Sequence, residues 1–109
     1  MSNQEENTLE EIFVRVKKTQ TNKGDEGAFD IPNAIINHYS IKSGDGIICV
    51  LKEKIDKSMK NAEKIDKEIL IDVGGPSPRG IIPVATYNLY DIKDLDYVRL
   101  LIRKVIHEK

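Results

Sequence analysis

The feature that most constrains the fold is a short unit in residues 31–51, which read IPNAIINHYSIKSGDGIICVL. Pro32 precedes a short apolar segment, and proline in the first turn of a helix loses no hydrogen bond, so a short helix is predicted there. Residues 42–46 (KSGDG) are typical of a tight turn, because glycine adopts positive φ and Asp45 offers a side-chain acceptor. The apolar run at residues 47–51 then predicts a buried strand.

The same unit occurs a second time, 51 residues further along the chain. Seven pairs of positions are identical at this offset: Pro32/Pro83, Ala34/Ala85, Asn37/Asn88, Tyr39/Tyr90, Ile41/Ile92, Lys42/Lys93 and Asp45/Asp96. Upstream, the alternating segment EIFVRV at residues 11–16 corresponds to EILIDV at residues 68–73. Repetition of this kind indicates a duplicated strand-helix-turn-strand unit rather than two unrelated halves.

The first copy resembles the AbrB/SpoVT/MazE swapped-hairpin group of the cradle-loop barrel superfamily, in which a "Gly-Asp box" links a short helix to a buried strand. The residues that carry this resemblance are Ile31, Pro32, Ile36, Ile41, Lys42, Gly44 and Asp45. The resemblance implies a mostly β fold with short helices, a cradle-loop β-barrel built from two strand-strand-helix-strand repeats. Two repeats in one chain can close a barrel by themselves, as double-psi barrels do, or exchange hairpins within a homodimer.

The chain divides into four predicted segments that form one shared barrel domain. Residues 1–10 are expected to be a disordered tail, 11–52 the first repeat, 53–67 a charged helical linker and 68–109 a degenerate second repeat. The helix is predicted because Ile55, Met59, Ala62 and Ile65 are spaced by 4, 3 and 3 residues amid charges of both signs. Residues 17–27 are predicted to be a polar loop.

The second repeat departs from the first at two places. Leu95 replaces the glycine of the turn, which predicts a different turn geometry there. Residues 97–109 fit either a strand or a helix face, and the repeat favours a strand for the first half, followed by a frayed or helical tail.

Composition limits the functional classes. The formal charge is −1 with 32% charged residues, so nucleic-acid binding must come from a local basic patch. Cys49 is the single cysteine and lies inside the apolar run, which predicts a buried thiol. No apolar segment is long enough to span a bilayer and the first residues are acidic, so no membrane partner and a cytoplasmic location are expected.

The resemblance implies a DNA-binding transcriptional regulator. The strand and loop of the first repeat would bring basic residues against the phosphates of double-stranded DNA. The predicted DNA-binding residues are Arg15, Lys17, Lys18, Lys23, Asn33, Asn37 and Arg79. The alternative is a protein-interaction module, similar to an antitoxin or an ATPase adaptor, that recruits a protein partner without binding DNA; the mixed charges of residues 53–67 favour this second interpretation.

An enzyme is not expected. His38 and His107 have no cysteine or second histidine at ligand spacing, so neither a metal site nor another cofactor is predicted. The glycine-rich turn at residues 74–80 lacks the Gly-Lys-Ser/Thr ending of a phosphate-binding loop, and it is interpreted as a connection between strands.

Overall fold

Seven antiparallel strands form one curled sheet in the computed structural model, which describes residues 4–108 and the side chains of residues 10–108. Two short helices complete the fold. The elements are β1 (Gln4–Arg15), β2 (Lys17–Thr21), β3 (Gly24–Asp30), α1 (Asn33–Tyr39), β4 (Gly46–Ile55), β5 (Ala62–Gly74), β6 (Arg79–Ile82), α2 (Val84–Leu89) and β7 (Tyr97–His107). The predicted mostly β architecture with short helices is confirmed.

The sheet curls because its two edge strands are consecutive in the chain. The strand order is β1-β7-β4-β5-β6-β3-β2, yet only Val16 separates β1 from β2. The N–H of Val16 donates to the carbonyl of Asp96 at 2.8 Å, and its own carbonyl accepts from the N–H of Leu95 at 2.7 Å. The two edges therefore approach each other at Val16.

The inside of the curl is an aliphatic core. Strand alternation directs every second side chain of β1 and its neighbours inward, as the sequence predicts for β1. The buried strand residues, together with Val16 between β1 and β2, are Ile12, Val14, Val16, Ala28, Phe29, Ile47, Cys49, Leu51, Ile55, Ile69, Ile71, Val73, Ile82, Val98, Leu100, Ile102 and Val105. Each fully buried Val, Leu or Ile contributes roughly 1.5–3 kcal/mol to folding, so this interior is the main source of stability. The prediction that Cys49 is buried is confirmed, since it is 1% exposed.

The helix predicted for residues 53–67 is wrong. These residues form the end of β4, a turn, and the start of β5, with Lys54 paired to Glu63 and Ile55 to Ala62. The charges of opposite sign lie across the hairpin rather than along a helix: the Lys54 ammonium is 3.5 Å from the Glu63 carboxylate and the Lys52 ammonium is 3.0 Å from the Asp66 carboxylate. Cross-strand pairing thus accounts for the mixed charges that resembled a helix surface.

The side chain of Asp56 closes the turn of this hairpin. Its carboxylate accepts hydrogen bonds from the Ser58 hydroxyl at 2.9 Å, the Lys60 N–H at 3.0 Å and the Asn61 amide at 2.7 Å. The Asn61 side chain is the largest of several hydrogen-bonding causes that lower the pKa of Asp56. A single side chain therefore organises a turn that the spacing of apolar residues does not reveal.

Three further predictions about segments need correction. The predicted tail 1–10 overlaps β1, which pairs with β7 from Gln4 onward, because backbone pairing needs no apolar side chains; residues 1–3 lie outside the described residues. Residues 17–27 are a β2–β3 hairpin rather than a loop. The strand predicted after residue 97 extends to His107 without a helical tail, since β7 pairs with β1 on one side and β4 on the other.

The two predicted Asp-containing turns have matching hydrogen bonds. Asp45 Oδ2 accepts from the Lys42 N–H at 2.8 Å, and Asp96 Oδ2 accepts from the Lys93 N–H at 2.9 Å. Gly44 donates to the carbonyl of Val73 at 2.8 Å, as Leu95 does to that of Val16.

The different geometry predicted for the second turn is therefore wrong. Leu95 adopts a φ of 71°, in the left-handed region that Gly44 occupies at 100°. The backbone geometry is kept although a leucine adopts it at a steric cost.

Both helices within the described residues are short, of seven and six residues, and neither is long or apolar enough to cross a membrane.

Candidate anion-binding surface

Three of the predicted basic residues surround one cavity where the sheet edges meet. Arg15 ends β1, Lys17 begins β2 and Arg79 begins β6. Val16 is fully buried, so alternation directs Arg15 and Lys17 to the same outer side. Pairing of β3 with β6 sets Arg79 opposite Asp30. The resulting cavity, of about 150 Å³, is lined by Arg15, Lys17, Ala28, Phe29, Asp30 and Arg79.

Arg15 is held in position by two contacts. Its guanidinium lies 5.0 Å from the centre of the Tyr97 ring, and its Nε donates to the carbonyl of Leu95 at 3.2 Å. The Tyr97 ring also stacks on Phe13, with ring centres 5.2 Å apart, and Arg99 lies 4.8 Å from the centre of Phe13. This stack of four side chains fixes one cation of the cavity before any ligand arrives.

Arg79 has an unused hydrogen-bond donor. Its Nε is buried and forms no hydrogen bond, and the closest carboxylate oxygen, Asp30 Oδ1, lies 3.4 Å away. The Asp30 side chain is 93% exposed, so solvent weakens its attraction for the guanidinium. The Arg79 side chain as a whole is 43% exposed, so an anion in the cavity would meet the terminal nitrogens of the guanidinium rather than the buried Nε.

A larger cavity of about 570 Å³ adjoins the first, because Asp30 and Arg79 line both. Its walls come from the start of α1 and from the turn between β5 and β6. The lining residues are Asp30, Ile31, Pro32, Asn33, Ile36, Ser77, Pro78 and Arg79. Four of the seven predicted DNA-binding residues, Arg15, Lys17, Arg79 and Asn33, therefore lie on one continuous surface.

The other three predicted residues lie apart from this surface. Lys18 lines a third cavity, of about 330 Å³, and its N–H donates to Asp94 Oδ1 at 2.8 Å. Lys23 occupies the turn at the far end of the β2–β3 hairpin, and Asn37 lies on the exposed side of α1 without lining any of the three cavities. The structure thus places four of the seven predicted DNA-binding residues on one surface and the other three elsewhere.

Two residues that line these cavities were not predicted from the sequence to be site residues. Asp30 reduces the positive charge beside Arg79, and only the register of β3 with β6 reveals this proximity. Tyr87, which lines the third cavity, is 4% exposed and its hydroxyl has no hydrogen-bond partner. Burial raises the pKa of Tyr87, and the charges of Asp94, Asp25 and Asp96 raise it further. The position 51 residues earlier in the chain is Ile36, which gives no indication of such a group.

His107 contacts a carboxylate of the first Asp-containing turn. Its Nδ1 lies 3.0 Å from Asp45 Oδ2, and Asp45 Oδ1 accepts from the Glu108 N–H at 2.9 Å. Burial raises the pKa of Asp45, but the N–H groups of Glu108 and Lys42 together with His107 outweigh burial and lower it below its usual range. Asp45 thereby joins the end of β7 to the first turn.

His38 lies edge-on to Tyr39, with ring centres 4.5 Å apart. Within the part of the chain whose side chains are described, no group of three or more His, Cys, Asp or Glu residues is placed to hold a metal ion.

Comparison of the chain with protein-family models, with curated proteins and with solved structures finds no match. Function must therefore be inferred from the geometry described above.

Proposed function

We propose that the chain is a DNA-binding transcriptional regulator similar to the AbrB group, built as a duplicated cradle-loop barrel. The observation that carries the DNA-binding proposal is the convergence of Arg15, Lys17 and Arg79 on one cavity. Guanidinium and ammonium groups are the usual partners of DNA phosphates. The matching hydrogen bonds of the two Asp-containing turns support the duplication.

The charge of this surface determines how strongly DNA binding should depend on salt. The chain as a whole is close to neutral, at −1, so attraction to DNA is local. Three phosphate contacts give a logarithmic salt slope of about −2.7, which is shallow compared with proteins that contact many phosphates. Contacts to phosphates alone position a protein without reading sequence, so Asn33 beside Arg79 is the residue proposed to face a base edge.

The test is fluorescence anisotropy with labelled duplex DNA over a range of salt concentrations. Changing Arg15, Lys17 and Arg79 together to Gln is expected to abolish the salt-dependent binding. The matched control changes Lys57, Lys60 and Lys67 to Gln, because these exposed lysines of the β4–β5 hairpin lie outside the cavity and their loss changes the net charge equally. Equal effects of the two triple variants, or binding that ignores salt, would contradict the proposal.

A second candidate, a protein-interaction module, keeps support from one observation. Leu70 on the outer side of β5 is 49% exposed and pairs with Ile48 of β4, while the next outward residue of β4, Val50, pairs with Leu101 of β7. This outer apolar band crosses three neighbouring strands. Capture of one defined protein from nuclease-treated lysate, lost on changing Leu70 to Lys, would favour this candidate over DNA binding.

A further inference from the structure

The two cavities that meet at Asp30 and Arg79 differ in chemistry. The smaller one has Arg15, Lys17 and Arg79 around it, with Asp30 as its single carboxylate. The larger one has apolar walls from Ile31, Pro32, Ile36 and Pro78, with Asn33 and Ser77 as its uncharged polar groups. A ligand that fills both must therefore have an anionic end and a largely apolar end with a few polar atoms.

The smaller cavity matches a phosphomonoester in charge. Three cations and one carboxylate leave a formal charge of two positive units, and a phosphomonoester carries about −1.5 to −2 at pH 7. Arginine donates through a fork that fits phosphate oxygens, and two of the three cations around the cavity are arginines. Among the described residues Lys17 forms no ion pair, so its ammonium is available to the same group.

The larger cavity matches a flat ring with polar edges. Its volume of about 570 Å³ lies within the range of roughly 300–1,000 Å³ that is typical of small-molecule sites. Proline and isoleucine side chains offer apolar surfaces to a ring, and an Asn side-chain amide both donates and accepts hydrogen bonds, as base edges require. Arg79 stands between the cavities, where it can reach the phosphate while its planar guanidinium borders the ring.

We propose that the joined cavities bind a nucleoside 5′-monophosphate, with its phosphate among Arg15, Lys17 and Arg79 and its base against Pro32, Ile36 and Pro78. A longer phosphate chain would bring more negative charge than the net two positive units of the smaller cavity offset. The nucleotide occupies the same cations that the proposed DNA contacts use, so bound nucleotide and bound DNA exclude each other. The competition rests on the proposed function, whereas the binding of the nucleotide does not.

Isothermal titration calorimetry of the full chain tests the binding. The probes are the four common ribonucleoside 5′-monophosphates, their nucleosides, and inorganic phosphate. At least one monophosphate is expected to bind at least tenfold more tightly than both inorganic phosphate and its own nucleoside. Absence of any binding at millimolar concentration, or equal affinity for inorganic phosphate and all nucleotides, would overturn the proposal.

Two lysines of the same hairpin give matched variants. Lys17→Gln is expected to weaken nucleotide binding at least fivefold, whereas Lys23→Gln should leave it within twofold. Both side chains are exposed, and strand geometry puts the hairpin turn roughly 13 Å from Lys17. Unchanged binding in Lys17→Gln, with a thermal midpoint equal to that of the unaltered chain, would also refute the site.

The Asn33→Leu variant tests recognition of the base separately from binding of the phosphate. It is expected to alter the ranking of the four nucleotides while leaving the affinity for inorganic phosphate unchanged. An unaltered ranking would show that the base does not occupy the larger cavity.

Displacement of labelled duplex DNA by the preferred nucleotide distinguishes the two proposals. If nucleotide binds and DNA does not, the proposed function fails and the nucleotide site stands. If DNA binds and no nucleotide does, the reverse holds.

Discussion

Replacing Asp45 with Asn should destabilise the fold considerably more than the equivalent change at Asp96. Both carboxylates are 5% exposed, and both lie in the turn that precedes a central strand. Asp45 accepts hydrogen bonds from the N–H groups of Lys42 and Glu108 and lies 3.0 Å from His107 Nδ1, whereas Asp96 accepts from the N–H of Lys93. An Asn side chain has a single oxygen, so at Asp45 it can satisfy only part of this set.

The magnitude follows from the donors that would lose their acceptor. An Asn oxygen in the position of Oδ2 still accepts from the Lys42 N–H, whereas the Glu108 N–H loses its acceptor. A donor left unpaired costs about 1–3 kcal/mol, and this is the loss expected for Asp45→Asn. Asp96→Asn keeps an oxygen for its one donor and should cost less than about 1 kcal/mol. Urea unfolding followed by circular dichroism measures both free energies of unfolding under identical conditions.

The pH dependence provides a second test of the same reasoning. The pKa of Asp45 is lowered in the folded chain, so the unfolded state binds the proton more tightly. The stabilising contribution is therefore complete above the unfolded pKa of about 4, and it is lost as the pH falls through the lower folded value. The difference between the unaltered chain and Asp45→Asn should be constant from pH 7 to pH 5 and shrink below pH 4. Equal losses for the two variants, or a difference that stays constant at pH 2.5, would refute the account.

Two further predictions concern backbone strain and thiol reactivity. Leu95→Gly should stabilise the fold by up to about 1 kcal/mol, because it relieves a leucine at a φ of 71°. Gly44→Ala should destabilise it, since Gly44 adopts a φ of 100°, a conformation that residues with a Cβ rarely adopt, and the reverse order of unfolding midpoints would contradict this reasoning. Burial, with a smaller contribution from Glu68, raises the pKa of Cys49 to about 12, so its thiol should not react with a disulfide reagent at pH 8 until urea unfolds the chain. Rapid modification of the native protein would show that Cys49 is accessible.

Local patterns predicted the inner strands well because burial leaves a clear trace in the sequence. The alternation of Ile12 and Val14, and the apolar run that includes Cys49, correspond directly to the core. The segment at residues 53–67 was wrongly predicted to be a helix, since apolar spacings of three and four residues also arise by chance in a polar hairpin. Cross-strand pairs and the side-chain contacts of Asp56 determine its structure, and neither is a local pattern.

The candidate site was only partly predictable for a related reason. Arg15 and Lys17 flank an inward valine, so alternation alone brings them together, and the same rule should have excluded Lys18. The position of Arg79 depends on the pairing of β3 with β6, which joins segments about fifty residues apart and is not encoded by either segment alone. Side chains that are brought together by strand pairing between distant segments thus cannot be grouped from the sequence alone.

The pairing of β1 with β7 has a consequence for folding. β1 pairs with β7, and more than eighty residues separate the two strands in the chain. β1 therefore cannot pair until those residues and β7 have been synthesised. Pairing over such a separation requires closure of a long loop and slows folding relative to chains built from neighbouring hairpins. On the ribosome, β1 would therefore stay unpaired until β7 emerges, and β7 would then pair with β1.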